Sequence, residues 1–201
     1  MLRTGGKVKV IAFNGSPRRG GNSQLLLDEA VRAAREQGAD VKVYALNAMN
    51  IRPCQNCGGC EKTGRCIVKD EMLAVHEEIR SADRIIIASP IFFFSVSAQT
   101  KILIDRSQAF WNEKYILKKP VPPGPHGRKG LLFLVGGMKK DDKGSVGYQC
   151  AETTARAFFR TVNVQEHTTL EYDNVDELGA IAKHPKALRE AYEAGGRLVS
   201  E

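Results

Sequence analysis

Cys54, Cys57, Cys60 and Cys66 follow the pattern C-x2-C-x2-C-x5-C, with Gly58 and Gly59 leaving the chain free to wrap between them. Thiolates are soft ligands, and three at such short, regular intervals with a fourth nearby can close a 4Fe-4S cubane with one sulfur per iron. Structural zinc more often uses C-x2-C knuckles set further apart. A metal-free group of structural or redox thiols is the third reading, and all three stay open at this point. Cys150 stands apart in a predicted helix and reads as a small buried hydrophobe.

A second chemistry lies near the amino terminus, where Gly15-Ser16-Pro17-Arg18-Arg19-Gly20-Gly21-Asn22-Ser23 joins an apolar run to an amphipathic one. A glycine-rich turn feeding a helix offers unpaired N–H groups and a partial positive charge, which suits an anion. Ser16, Asn22 and Ser23 add donors, and Arg18 adds a charge-assisted contact. Gly15 and Gly20 have Walker A spacing, but Gly21-Asn22 replaces the Lys-Ser/Thr pair that grips outer phosphates and Mg²⁺. The dinucleotide pattern G-x-G-x-x-G is missing too, so a compact monophosphate such as that of FMN fits better than a pyrophosphate.

Ser89-Pro90-Ile91-Phe92-Phe93-Phe94-Ser95 supplies the third feature. Three consecutive phenylalanines cannot all enter one core face, so some are free to wall a flat ring. Gly136-Gly137, ahead of Met138, offers a further wall. His76, His126, His167 and His184 have no zincin spacing and no G-x-S-x-G partner, and read as surface or helix-end residues.

The elements that must position these groups alternate. Lys7–Phe13, Val41–Leu46, Arg84–Ser89, Leu131–Val135 and Asn163–Thr169 read as strands. Helices are predicted over Ser23–Gln37, Glu71–Ser81, Ala98–Phe110 and Cys150–Thr161, with a C-terminal helical stretch broken near His184-Pro185. Alternating βα units with apolar central strands predict an α/β, doubly wound, five-stranded parallel sheet in the order 2-1-3-4-5 with helices on both faces. In that topology the first and third features meet at the carboxyl edge of the strands. A cysteine-rich loop over 47–70 and a proline-rich stretch over 111–130 interrupt the alternation.

The whole chain, 201 residues with 42% hydrophobic and 26% charged residues, is composed like a soluble globular protein and is expected to form a single domain. A core of that size needs no metal merely to fold. Apolar stretches such as Ile85–Ala88 and Ile91–Phe94 fall far short of the roughly 20 residues that span a bilayer. No secretory h-region follows the amino terminus, so a cytoplasmic location with reduced thiols is expected. The net charge of +7 gathers partly at Lys114, Lys118, Lys119, Arg128 and Lys129. Without a recognisable module or stacking platform this excludes a nucleic-acid binder and reads as a solvated face, or as steering for an acidic partner or a nicotinamide phosphate. Trp111, Tyr115, Ile116 and Leu117 suggest a subunit contact.

Taken together, NGSPRRGGNSQLL, PCQNCGGCEKTGRC followed by VKDEM, and SPIFFFSVSAQTKILIDRSQ resemble the flavodoxin-like NADPH-dependent FMN reductase superfamily, and within it the iron-sulfur flavoproteins. The resemblance runs from Lys7 to about Thr169. It implies FMN with its phosphate at Ser16, Arg18, Asn22, Ser23 and Gln24, and with Pro90, Ile91, Phe92, Phe93, Phe94 and Ser95 along the flavin. It also implies a 4Fe-4S cluster on Cys54, Cys57, Cys60 and Cys66. Where many relatives carry a tyrosine in the aromatic segment this chain has phenylalanine, which removes a hydroxyl near the flavin. The expected activity is that of an FMN-dependent oxidoreductase or electron-transfer flavoprotein. NAD(P)H or the cluster would donate, a quinone or a ferredoxin-type carrier would accept, and no protein acid or base is required. The alternative is an NAD(P)H-dependent FMN or quinone reductase without a cluster. A zinc-stabilised or redox-responsive interaction protein that has lost its flavin is a further class. The resemblance also implies a homo-oligomer, dimer or tetramer.

Overall fold

A computed structural model of the chain describes residues 6–122, 127–141 and 144–200. Its frame is a sheet whose strands β1 (Lys9–Asn14), β2 (Asp40–Ala45), β3 (Arg84–Phe92), β5 (Lys129–Val135) and β6 (Glu166–Tyr172) run parallel in the order β2-β1-β3-β5-β6. These are the predicted parallel strands in the predicted order. A short strand, β4 (Ser95–Val96), was not predicted; it pairs antiparallel with the end of β3.

The central strands read as continuous apolar runs because both faces are covered. Alternate residues serve opposite layers. Ile11, Phe13, Ile85, Ile87, Leu132 and Leu134 join one core with α2 (Met72–Ser81), α3 (Ala98–Arg106) and α5 (Gly144–Thr161). Val10, Ala12, Ile86, Ala88, Leu131 and Phe133 join the other with α1 (Asn22–Glu36) and α6 (Ala187–Ser200). No described helix is long and apolar enough to cross a membrane.

Several boundaries move for local reasons. The helix predicted over Ala98–Phe110 breaks at Ser107, whose hydroxyl donates to Leu103 O; a short α4 (Gln108–Trp111) and a π-helical turn (Asn112–Ile116) follow. The fifth parallel strand starts three residues late, at Glu166 instead of Asn163. Asn163 has φ of 61° and closes α5 in the left-handed region while Val164 N donates to Phe159 O, so the chain is still turning there. Because α5 begins at Gly144, its buried face runs through Tyr148, Ala151, Ala155 and Phe158, and Cys150 is exposed, contrary to expectation. Arg128 is likewise not part of a solvated face. It is fully buried and donates to the carbonyls of Ala82, Val162 and Arg80.

Candidate functional site

At the carboxyl end of β1 the chain turns sharply. Gly15 N donates to Ala88 O at 2.8 Å and Gly15 O accepts from Ser97 Oγ at 2.7 Å, which locks the turn to β3 and to the start of α3. Ser16 Oγ closes a small ring with the backbone of Arg18. Gly20, with φ of 66°, folds the loop back toward α1, and Gly20 N donates to Gln24 Oε1 at 2.9 Å. Gly21 caps α1 with no side-chain acceptor and no acidic residue follows in the first turn, so the positive end of a fifteen-residue helix stays uncompensated. Arg18 reaches across to Asp176 O at 3.2 Å.

The third strand was predicted to end at Ser89, but it continues into the aromatic segment. β3 runs on to Phe92, which pairs with Ser95, and Phe93 and Phe94 form a two-residue turn with φ of 47° and 60°. Two positive φ values are what a tight hairpin needs, but bulky residues adopt them at a cost. Ser89 Oγ accepts from Ser97 N at 3.0 Å and fixes the return of the chain.

Ser16, Arg18, Asn22, Ser23, Pro90, Ile91, Phe92, Gly136 and Gly137 line one cavity. Val135, Val175, Asp176 and Leu178 complete it. The segment holding Val175, Asp176 and Leu178 has no motif and was missed; only its position after a strand of the parallel sheet marks it. Phe93 and Phe94 line an adjoining apolar pocket with Met138, Gly147 and Tyr148. Gln24 and Ser95 line neither, since Gln24 braces the loop and Ser95 sits in the hairpin ladder. Asn22 is placed differently from expectation: its amide donates to Glu177 O at 2.9 Å and accepts from Ile181 N at 3.1 Å, so it positions the missed segment.

Both glycines of the predicted wall are needed as glycines. A Cβ at Gly136 would stand 2.9 Å from Tyr148 Oη, and one at Gly137 would stand 2.9 Å from Asp176 Cβ. A smooth slot beside an uncompensated helix start and hydroxyl donors fits a flat ring carrying a phosphate.

Cys54, Cys57, Cys60 and Cys66 all line a second cavity, together with Arg106, Gln108, Ala109 and Asn112; Cys54 and Cys57 are exposed at its rim and Cys60 and Cys66 are half-buried. None is in a disulfide. Among the described residues no three ligating side chains converge on a single ion. A cubane takes one sulfur at each of four irons, so it asks for four sulfurs around a cavity and not for one shared point. The loop is tied down on several sides. Asp70, nearly fully buried, takes Arg106 at 2.5 and 3.0 Å and accepts from Arg52 N and Met72 N. Burial alone would raise the Asp70 carboxyl, but Arg106 and these N–H groups hold it below its ordinary value. Arg80 bridges Glu113 and Gly64 O beside the loop.

Of the histidines, His184 behaves as predicted at a helix end, its Nδ1 accepting from Ala187 N. His167 is half-buried beside Glu152. His126 lies outside the described residues. His76 corrects the expectation: it is only 4% exposed, bonds Arg106 O at 3.0 Å and stands edge-on to Phe110.

The parallel order β2-β1-β3-β5-β6, with the cavity at the carboxyl edge where strand order reverses, defines a flavodoxin-like protein. The profile of the NADPH-dependent FMN reductase family matches residues 8–140, and the chain belongs to that family, among its iron-sulfur flavoproteins. It is 32% identical over 132 residues to an iron-sulfur flavoprotein of Methanosarcina thermophila, covering 66% of this chain and 65% of that one. An iron-sulfur flavoprotein of Methanocaldococcus jannaschii is 40% identical over 101 residues, 50% of this chain and 52% of the relative. The matched segments thus span less than two thirds of these relatives. A solved NAD(P)H:quinone oxidoreductase from Methanothermobacter marburgensis has the same fold, with a TM-score of 0.75, 20% identity and 96% of each chain covered.

Proposed function

We propose that this chain is an FMN-dependent oxidoreductase that carries a 4Fe-4S cluster and passes electrons between the two. The observation that carries the reading is the glycine-walled cavity between the start of α1 and the β3–β4 hairpin. The first N–H groups of α1, Ser16 and Ser23 would hold the phosphate, and Arg18 would offset its charge. Gly136 and Gly137 would leave room for the ring, with Pro90, Ile91 and Phe92 along it. The apolar pocket at Phe93, Phe94 and Met138 would keep water from the exposed edge and admit an apolar acceptor such as a quinone. FMN, once bound, supplies both two-electron and one-electron chemistry. Cys54, Cys57, Cys60 and Cys66 would hold the cluster, with NAD(P)H as electron source and a quinone or a ferredoxin-type carrier as acceptor. We also assign the exposed apolar turn at Trp111, Tyr115 and Ile116 to contact between copies in a homo-oligomer.

Anaerobic purification, an absorbance spectrum and quantified flavin, iron, sulfide and zinc on one sample test the reading. FMN uptake with iron and sulfide supports it in full. FMN uptake without them supports an NAD(P)H-dependent FMN or quinone reductase, the second reading, which the fold shared with the Methanothermobacter NAD(P)H:quinone oxidoreductase favours. A chain that takes up no added FMN sinks both.

A further inference from the structure

We infer that Asn112 and Arg106 donate hydrogen bonds to the sulfurs of the cluster ligands and thereby raise the cluster's potential; this rests on the cluster reading above. Asn112 Nδ2 donates to Cys60 Sγ at 3.1 Å, and Arg106 Nη2 donates to Cys66 Sγ at 3.4 Å. Neither residue belongs to the cysteine loop. Asn112 is 4% exposed and Arg106 1%, so both donors act away from bulk water, where a misplaced polar group is costly.

The surroundings hold both in place. Asn112 opens the π-helical turn, where Leu117 N donates to Asn112 O at 2.9 Å; such turns are rare and recur at functional sites. The guanidinium of Arg106 is gripped by Asp70 and by Arg52 O at 2.8 Å, so it cannot swing away from Cys66. Its Nε is buried without a hydrogen-bond partner among the described residues, and Arg106 lines the cysteine cavity. Two buried donors are thus spent on sulfur, which is a weak acceptor as a neutral thiol and a strong one as a metal-bound thiolate.

An N–H aimed at a ligand sulfur favours the more negative, reduced cluster over the oxidised one, and so raises the potential. Asp70 offsets the charge of Arg106, and Asn112 carries none. The effect is thus one of aimed dipoles, and it should survive added salt.

The test is a dithionite titration, followed by electron paramagnetic resonance, of the full chain loaded with FMN and iron, in its natural form and as Asn112→Leu and Arg106→Lys. The expected result is unchanged iron and sulfide per chain and a cluster that is harder to reduce. At a fixed potential its reduced-to-oxidised ratio should fall about tenfold, equivalent to about 59 mV for one electron, with the flavin potential unmoved. Unchanged cluster potential at full iron content overturns the inference. Should one variant lose iron, the other decides. Loss of iron from both, with FMN affinity and melting temperature kept, also overturns it, since the two side chains would then only hold the loop. A natural chain that assembles no cluster overturns this inference together with the cluster reading, and it does so before any variant is made.

Discussion

A methyl group at position 15 has no room, because a Cβ there would stand 1.9 Å from Thr100 Oγ1 and 3.1 Å from Ala88 O. Thr100 Oγ1 is itself tied to Ser97 Oγ at 3.0 Å, so it cannot simply rotate aside. Gly15→Ala should therefore cost about 1–3 kcal/mol of stability. It should also weaken FMN binding about tenfold by displacing the turn that carries Ser16. Adding Thr100→Ala should recover part of both, as thermal melts and flavin fluorescence titrations would show; a Gly15→Ala chain that melts and binds normally refutes the locked turn. His76 makes a different statement. Burial pushes its pKa down from 6.5 to about 4, while the Arg106 carbonyl holds its Nε2–H. The unfolded chain takes up this proton near pH 6.5, and the native state only near 4. Between those values the unfolded state binds more protons, so stability rises with pH, and it drops by about 3 kcal/mol as pH falls through that window. His76→Gln removes the titrating group. Urea unfolding across this range should show the natural chain losing that much more stability than the variant, and equal slopes would dismiss the effect.

At the scale of elements the β3–β4 hairpin stands out, because its turn is built from the wrong residues for its shape. Phe93 is fully exposed, so it gains no burial in return for its φ of 47°. Asparagine tolerates the left-handed region far better. Phe93→Asn should stabilise the chain by about 1 kcal/mol, a rise of about 2–4 °C in melting temperature at this size, while raising KM for an apolar acceptor. A variant that melts lower would show the turn is not strained. Phe94 is a poorer choice for the test, since it packs on Gly147. The same hairpin explains where the sequence stops being legible. Asn14-Gly15 could be read as a turn because those residues favour turns, but Phe93-Phe94 carries no turn signal, and only pairing of Phe92 with Ser95 forces it. The parallel order was readable because alternate residues of β1, β3 and β5 are apolar on both faces. The Val175–Leu178 wall was not, since it is placed by Asn22, which bonds across more than 150 positions of chain. Arg128 and His76 look like surface residues in any local window. Their burial depends on carbonyls that the fold delivers from elsewhere.

On the scale of the molecule, the two ends of the sheet are finished differently. The amino end is closed by buried arginines: Arg84 reaches Gly127 O and the carboxyl end of α6, and Arg128 satisfies three carbonyls with a guanidinium that burial pushes down to about 10. The carboxyl end is left open with glycines, an uncompensated helix start and exposed phenylalanines. Beside it the face of α4 and the π-helical turn presents Trp111 at 40%, Tyr115 at 38% and Ile116 at 55% exposure, bordering a groove that includes Cys54 and Phe158. If a second copy covers this face, attraction must come from apolar contact, because two chains of net charge +7 repel each other. Salt screens that repulsion and leaves apolar burial intact, so assembly should strengthen with ionic strength, opposite to an interface made of ion pairs. Light scattering across a salt series should show the natural chain shifting toward dimer or tetramer. Ile116→Lys should run as a monomer throughout and still take up FMN, since the glycine-walled cavity lies at other residues. A natural chain that stays monomeric at high salt and high concentration, or a variant that assembles as before, moves the contact away from this face.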